Sequence, residues 1–426
     1  MQFGARILEL ADRLAKWSED PDRLTCTYLS RAHRAVAAEI AQLMQAAGLE
    51  TQIDAAANVV GRYPCKNENA KTIIIGSHYD TVSNAGKYDG RLGILAGILV
   101  AGHCARAGKQ LPLHLEVIAF SEEEGVRFAA PYIGSSAVAG RFDPALLDRR
   151  DAKGVSLAEA LRDAGFDPAG IPALARRRAD IRAYIEMHIE QGPVLLEADL
   201  PVGIVTAIAG NSRLGVVVEG VAGHAGTVPM NLRRDAAAAA AEIVLCVERR
   251  CSRLGLLGTV GRLSVPLGAI NVIPGCCELS IDIRDADDAV RHDAVKDVLG
   301  EMDEIATRRG VRIKATPLLD APAVQCSPRL QDAFAQSIAQ LGIPVFRLPS
   351  GAGHDAVMFD SLTDIAMLFV RCGNGGVSHS PLETITDTDA DLATRILLDM
   401  IERLAAVNDR SPHERSDMRD DVPGYR

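Results

Sequence analysis

Phe3, Ile7, Leu10, Leu14 and Trp17 recur at helical spacing with Glu9, Asp12 and Arg13 between them, so the chain opens on an amphipathic helix and not on a signal sequence. A second such helix is predicted over 32–48. The periodicity then changes. Thr72-Ile-Ile-Ile-Gly76 is short, β-branched and apolar, the pattern of a strand buried on both faces. Small apolar residues from Gly90 to Ala107 predict a helix, and Leu113 to Phe120 another buried strand. Strand, helix, strand is a βαβ unit, whose crossover is right-handed. In open α/β sheets the ligand crevice lies beyond the carboxyl ends of the strands. His78-Tyr-Asp80 and Ser121-Glu-Glu-Glu124 both fall there.

From about residue 211 the pattern loosens. Leu214 to Glu219 alternates, a helix carrying the alanine run Ala236 to Ala241 follows, and strand-like segments at 259–265 and 278–284 come next. This is the composition of a small α+β domain. Short strands at 341–347 and 365–370, ending in glycine-rich loops, resume the first pattern. The expected architecture is α/β: a discontinuous domain with a mostly parallel sheet, built from 1–210 and 326–407, with an α+β domain inserted at 211–325. Residues 408–426, almost all charge, proline and glycine, read as a mobile tail.

Composition sharpens this in three places. At 426 residues the chain exceeds what one core organises, ~250–300 residues, which supports two domains. A net charge of −10 argues against nucleic acid or an anionic membrane as partner, though not against a small anionic substrate held by local arginines. No run reaches the ~18 apolar residues of a membrane span. The nine cysteines are scattered without Cys-x-x-Cys spacing, which points to a reducing, cytoplasmic location and away from a structural zinc knuckle.

His78 leaves a strand end, and Asp80 two residues on can accept its other imidazole N–H. Asp89 stands just before a helix, where one carboxylate can bridge two cations. Taken singly, each reads first as a core histidine or a capping aspartate. Glu122-Glu-Glu124 follows a buried strand, where adjacent carboxylates repel unless a cation compensates; the alternative is a solvated acidic turn. Glu186-Met-His188-Ile-Glu-Gln-Gly-Pro193 and Gly375-Gly-Val-Ser-His379-Ser-Pro381 each add a histidine beside glycine and proline.

Together these motifs closely resemble the hydantoinase/carbamoylase branch of the M20 metallopeptidase-like amidohydrolases, from about residue 50 to 400. That branch holds allantoate amidohydrolases, N-carbamoyl-L-amino acid hydrolases and β-ureidopropionases. The resemblance implies two divalent metal ions per subunit, zinc or manganese, with His78, Asp89 and His188 on one and Asp89, Glu124 and His379 on the other. It implies Glu123 as general base and Asp80 as the partner of His78. All five ligands are nitrogen or oxygen donors, which suits either metal.

In the inserted domain His224 lies among small residues, Asn271 in a turn, and Arg284 thirteen residues later. An arginine fork can hold a carboxylate and a histidine or asparagine an oxyanion; a surface ion pair and a turn cap are the plain alternatives. The resemblance makes these three substrate contacts, together with Gln191. It also likens Ser350-Gly-Ala-Gly353-His354 to a loop near the substrate carboxylate, a structural glycine turn being the alternative. It further implies that the smaller domain is a lid and dimerisation domain in a homodimer and can complete a neighbour's site. The implied reaction is hydrolysis of the ureido C–N bond of a small carboxylate: allantoate to ureidoglycine, ammonia and carbon dioxide, ahead of N-carbamoyl amino acids or N-carbamoyl-β-alanine. Dipeptide hydrolysis is disfavoured because His188 stands where peptidases use a carboxylate, and a non-catalytic scaffold because Glu123 is retained.

Overall fold

In the computed structural model, residues 2–252 and 255–406 are described, so the segment 408–426 expected to form a mobile tail lies outside them. The chain divides into two compact units, one of which is Ala207–Gln325 with Pro349–Gly353.

The first unit begins with α1 (Phe3–Leu14) and α2 (Arg31–Ala46). Helix α1 stops at Leu14, and Trp17 is half exposed and donates to Glu39, so it does not extend the apolar stripe. Strands β1 (Glu50–Ile53), β2 (Val59–Tyr63) and β3 (Thr72–His78) lead to α3 (Arg91–Arg106) and β4 (His114–Phe120). Short helices α4 (Ile133–Val138) and α5 (Leu157–Asp163) precede β5 (Ile181–Ile189), and α6 (Val194–Glu197) precedes β6 (Val202–Ile208).

The second unit contributes β7 (Gly210–Glu219), β8 (Gly223–His224), α7 (Ala236–Cys251), β9 (Leu257–Ser264), β10 (Val272–Ile273), β11 (Cys276–Asp285), α8 (Asp288–Arg309), β12 (Arg312–Ala321) and β13 (Val324–Gln325). The first unit resumes with α9 (Pro328–Gln340), β14 (Arg347–Ser350), β15 (Ile365–Val370) and α10 (Asp387–Ala406).

The large sheet runs β1-β2-β4-β3-β5-β15-β6-β13, and β14 also pairs with β6. Its four middle strands are parallel, and antiparallel pairing begins outside them. Burial follows the same division. Strands β3, β4 and β15 are buried at every position, as parallel strands covered on both faces must be. Four parallel strands therefore deliver their carboxyl ends to one edge.

The smaller unit holds a four-stranded antiparallel sheet, β12-β7-β11-β9, whose buried residues pack with those of α7 and α8. Two boundaries differ from the sequence reading. A strand expected at 341–347 is instead largely a loop: Gly342 takes φ +71 at the end of α9 and Pro344 follows, so β14 starts only at Arg347, just after Phe346 O accepts the Ile204 N–H. Pro349–Gly353 also belongs to the smaller unit, tied by Ala209 N–H to Ser350 O (2.9 Å) and Arg284 to Gly351 O (2.8 Å). Among the described residues no helix is long and apolar enough to cross a membrane.

Candidate metal centre

The ends of β3, β4 and β5 supply the site. His78 is the last residue of β3, and the segment after it returns to place Asp89 beside it, directly before α3. That return needs Gly90. It sits at φ +68, and a Cβ there would lie 2.5 Å from His78 O and 2.6 Å from its ring. Only glycine allows both. His188 is the penultimate residue of β5, and His379 stands in the loop after β15 with φ +53. Gln191, just past β5, is also left-handed at φ +58. Two non-glycine residues in this region at one site mark backbone strain held by its surroundings.

Asp89 organises the geometry. Its Oδ1 lies 3.2 Å from His188 Nε2 and 3.9 Å from His78 Nε2, while its Oδ2 lies 3.1 Å from His379 Nε2. Glu124 Oε1 is 3.6 Å from the same His379 nitrogen. One carboxylate thus faces two separate donor sets with its two oxygens. The rings are oriented from behind: His188 Nδ1 donates to Ile189 O (2.9 Å), and His78 Nδ1 points at Asp80, 3.3 Å from its carbonyl and 3.4 Å from its carboxylate. Asp80 also accepts from the Glu123 and Glu124 N–H groups (3.1 and 3.2 Å), joining the loop after β3 to the loop after β4.

The donor set fits divalent cations. The His78 and His188 Nε2 atoms are 3.4 Å apart, and two imidazole lone pairs at that distance repel unless a proton or a cation lies between them. His78-Asp89-His188 and Asp89-Glu124-His379 each offer ligand atoms within 4.8 Å of one another, and so do His78-Glu123-Glu124 and Glu186-His188-His354. These are groups for divalent metal, with no thiolate among them.

Electrostatics agree. Burial pushes the Glu123 carboxyl well above its ordinary range and Glu124 up to about 7, with neighbouring carboxylates adding to both shifts. Burial pulls the His78 ring down, but Asp80, Glu123 and Asp89 overrule it and hold it well above its usual value. Burial lowers His188 to about 4, and His354, edge-on to His188 with ring centroids 4.6 Å apart, falls well below its ordinary value for the same reason.

The other residues singled out in the sequence divide between the units. Gln191 donates to both Asp89 oxygens at 3.2 Å and lies 3.3 Å from His379 Nε2. His224 pairs with Val272 across β8 and β10, and Ala225 N–H donates to Asn271 O (3.0 Å), so His224 and Asn271 share one short ribbon. Arg284 does not join them. The antiparallel β7–β11 pair sets Cys276 against Glu219 at one end and Arg284 against Asn211 at the other. About 26 Å of strand separates Cys276 from Arg284, and the ribbon lies beyond the Cys276 end. Arg284 forks onto Asp282 (2.8 Å) and reaches the Gly351 carbonyl, two residues before Gly353. Glu383, which no sequence motif singles out, is 3% exposed and bonded to the Asp89 N–H. The one available signal was its place four residues after His379.

Residues 74–403 match the model of peptidase family M20/M25/M40. The chain is 42% identical to an N-carbamoyl-L-amino acid amidohydrolase of Geobacillus stearothermophilus, over 94% of this chain and 97% of that one. It is 37% identical to an allantoate deiminase of Arabidopsis thaliana, over 91% and 80%. A crystal structure of a hydantoinase/carbamoylase family amidase from Burkholderia ambifaria superposes with a TM-score of 0.87 at 31% identity, covering 94% of this chain and 97% of that chain.

Proposed function

This chain belongs to peptidase family M20/M25/M40, and on that premise we propose that it is a two-metal amidohydrolase that cuts the ureido C–N bond of a small carboxylate, allantoate first. The observation that carries the reading is the placement of Asp89, with Oδ1 toward His78 and His188 and Oδ2 toward His379. A ureido carbon is a poor electrophile because nitrogen lone pairs feed its carbonyl. Zinc or manganese held by these two sets supplies Lewis acidity toward that carbonyl and toward water.

The chain's own groups do the rest. Glu123 takes the proton of the attacking water and delivers it to the leaving nitrogen as the C–N bond breaks. Ammonia departs and the carbamate loses carbon dioxide. Asp80 holds His78 in register and fixes the Glu123 peptide by the same carboxylate. Gln191 offers its amide to substrate.

The relatives' printed activities support the class of bond. A second substrate reading, N-carbamoyl-L-amino acids, is supported by the 42% identity that spans 97% of the Geobacillus protein. Residues of the smaller unit support a homodimer. His224 with Asn271 lie beyond one end of the β7–β11 strand pair and Arg284 at the other, so a small substrate meets both only when a second subunit supplies one of them. Leu267 and Ile270, fully exposed beside Asn271, suit that contact.

Ammonia release from manganese- or zinc-loaded protein tests the reading, with allantoate, N-carbamoyl-β-alanine, N-carbamoyl-L-amino acids and dipeptides side by side. Release from allantoate alone is the expected outcome. Activity only on carbamoyl amino acids selects the second reading, and cleavage of dipeptides alone removes both. Glu123→Gln is expected to abolish turnover while metal content stays near two per subunit; loss of metal as well would make Glu123 a ligand.

A further inference from the structure

Asp89 and His379 reach the centre from two irregular segments, the stretch between β3 and α3 and the loop after β15, and neither segment is held by a strand ladder. One side chain ties them together. Glu383 Oε1 accepts the Tyr88 N–H (2.8 Å) and the N–H of Asp89 itself (3.1 Å). Its Oε2 accepts the Ser378 hydroxyl (3.0 Å), and that hydroxyl also lies 3.3 Å from Asp89 Oδ2. Ser378 is the residue before His379, so both segments are fastened within one residue of their donor atoms. The first segment makes room for this carboxylate at Gly86, where a Cβ would lie 2.3 Å from Glu383 Cδ and Oε1.

A buried carboxylate is costly unless donors surround it, and this one has three. Both of its oxygens are engaged by the two segments, so it is not aimed at the donor atoms of the centre.

We propose that Glu383 is a positioning residue for the metal centre: it clamps the Tyr88-Asp89 peptide to the Ser378-His379 loop, and so sets the distance between the bridging carboxylate and the outer imidazole. The inference rests on the two-metal reading above. Without the clamp, Asp89 keeps its strand-anchored neighbours His78 and His188, but its register against His379 is lost. The ion held by Asp89, Glu124 and His379 is the one that weakens.

The test is titration of the metal-free full-length protein with Mn2+, following stoichiometry and both dissociation constants, for wild type, Glu383→Ala, Glu383→Gln, Ser378→Ala and the Glu383→Ala/Ser378→Ala double variant. Glu383→Ala is expected to weaken the weaker of two ions about 10–100-fold, as loss of a residue that orients ligands does. Glu383→Gln should stay within about threefold, because its amide oxygen still accepts both peptide N–H groups and its NH2 can meet Ser378. Ser378→Ala should weaken the same ion, and its effect should not add to that of Glu383→Ala. Unchanged affinities in Glu383→Ala overturn the inference. So does a Glu383→Gln loss as large as that of alanine, which would place the effect in the charge and not in the held peptide. If Glu383→Ala does not fold, Ser378→Ala decides: a weakened second ion supports the clamp, and an unchanged one overturns it. Wild type binding fewer than two ions would remove the two-metal reading itself, a separate failure.

Discussion

Asp89 divides the centre into unlike halves. The inner half, around Oδ1, is His78 and His188, with side chains 3% and 1% exposed; the outer half, around Oδ2, is Glu124 and His379, and His379 is 48% exposed. The inner rings stand at the ends of adjacent parallel strands whose register is fixed along their length. The outer groups stand on loops, one of them with a left-handed histidine. Precision here descends from the sheet, and the half farther from the strands depends on side-chain ties such as that of Glu383. The inner rings are both buried, whereas in the outer half Glu124 stays 8% exposed and His379 alone faces solvent.

The largest test removes what the halves share. Asp89→Ala should lose both ions and lower turnover about 10^4-fold, roughly 5 kcal/mol of barrier. Metal counting by mass spectrometry alongside ammonia release checks it. Retention of one full ion per subunit would show that the halves do not depend on a common carboxylate.

That division also explains what the sequence disclosed. His78 and the Glu122–Glu124 run were legible because strands β3 and β4 announce themselves as apolar runs, and polar residues just past them have one place to be; His188 was reached only through the family resemblance, because Arg182 and Glu186 interrupt the apolar pattern of β5. Strand β15 was found at 365–370 for the same reason. Glu383 was not legible, since a carboxylate that binds peptide N–H groups has no spacing of its own. Nor was α8. Its buried positions Ala294, Val298, Met302 and Ile305 keep helical spacing, but Arg291 on that face and a largely charged sequence mask the stripe. Arg291 is buried because Asp288, Ser212 and Asp320 surround its guanidinium, a long-range pairing that local pattern does not contain. The separation of Arg284 from His224 and Asn271 is likewise a property of strand register, invisible in a spacing of thirteen residues.

The next test compares one proposed ligand from each half in metal-free protein. His188→Ala opens a cavity beside a buried carboxylate and should destabilise the fold by about 3 kcal/mol. His379→Ala, at a half-exposed ring, should cost under about 1 kcal/mol. Thermal melts measure both, and equal losses would erase the distinction between a buried and a half-exposed side of the centre.

A third, smaller contrast between the halves is in how steeply metal affinity depends on pH. An ion must displace a proton from any ligand whose pKa stands above the pH, so raised groups lose affinity as pH falls. The Asp89 hydrogen bond holds His379 up to about 9, and burial raises Glu124 to about 7. Outer-half affinity should therefore fall about tenfold per unit from pH 9 to 7 and about a hundredfold per unit below 7. In the inner half only His78 is raised: burial lowers His188 to about 4, and the three imidazoles overrule burial to hold Asp89 well below the usual carboxylate range. Its affinity should fall by no more than about tenfold per unit. Calorimetric titration at pH 6, 7 and 8 separates the slopes, and equal slopes below pH 7 would contradict the division.

The smallest expected effect belongs to Gln191, which spans both halves without being a ligand. Its amide donates to both Asp89 oxygens and lies against His379, so on the proposed two-metal reading it would have to swing aside for ions and substrate. Its left-handed backbone at φ +58 fixes where the side chain starts. If its role is to meet substrate after that swing, Gln191→Ala removes one neutral hydrogen bond: KM should rise about tenfold, near 1.4 kcal/mol, with kcat and two-ion content unchanged. If its role is to hold Asp89 in register, the same variant should instead lower kcat or lose the outer ion while KM stays constant. Steady-state kinetics with metal counting tells the two apart, because a donor that touches only substrate has no reason to alter how tightly either half holds its ion.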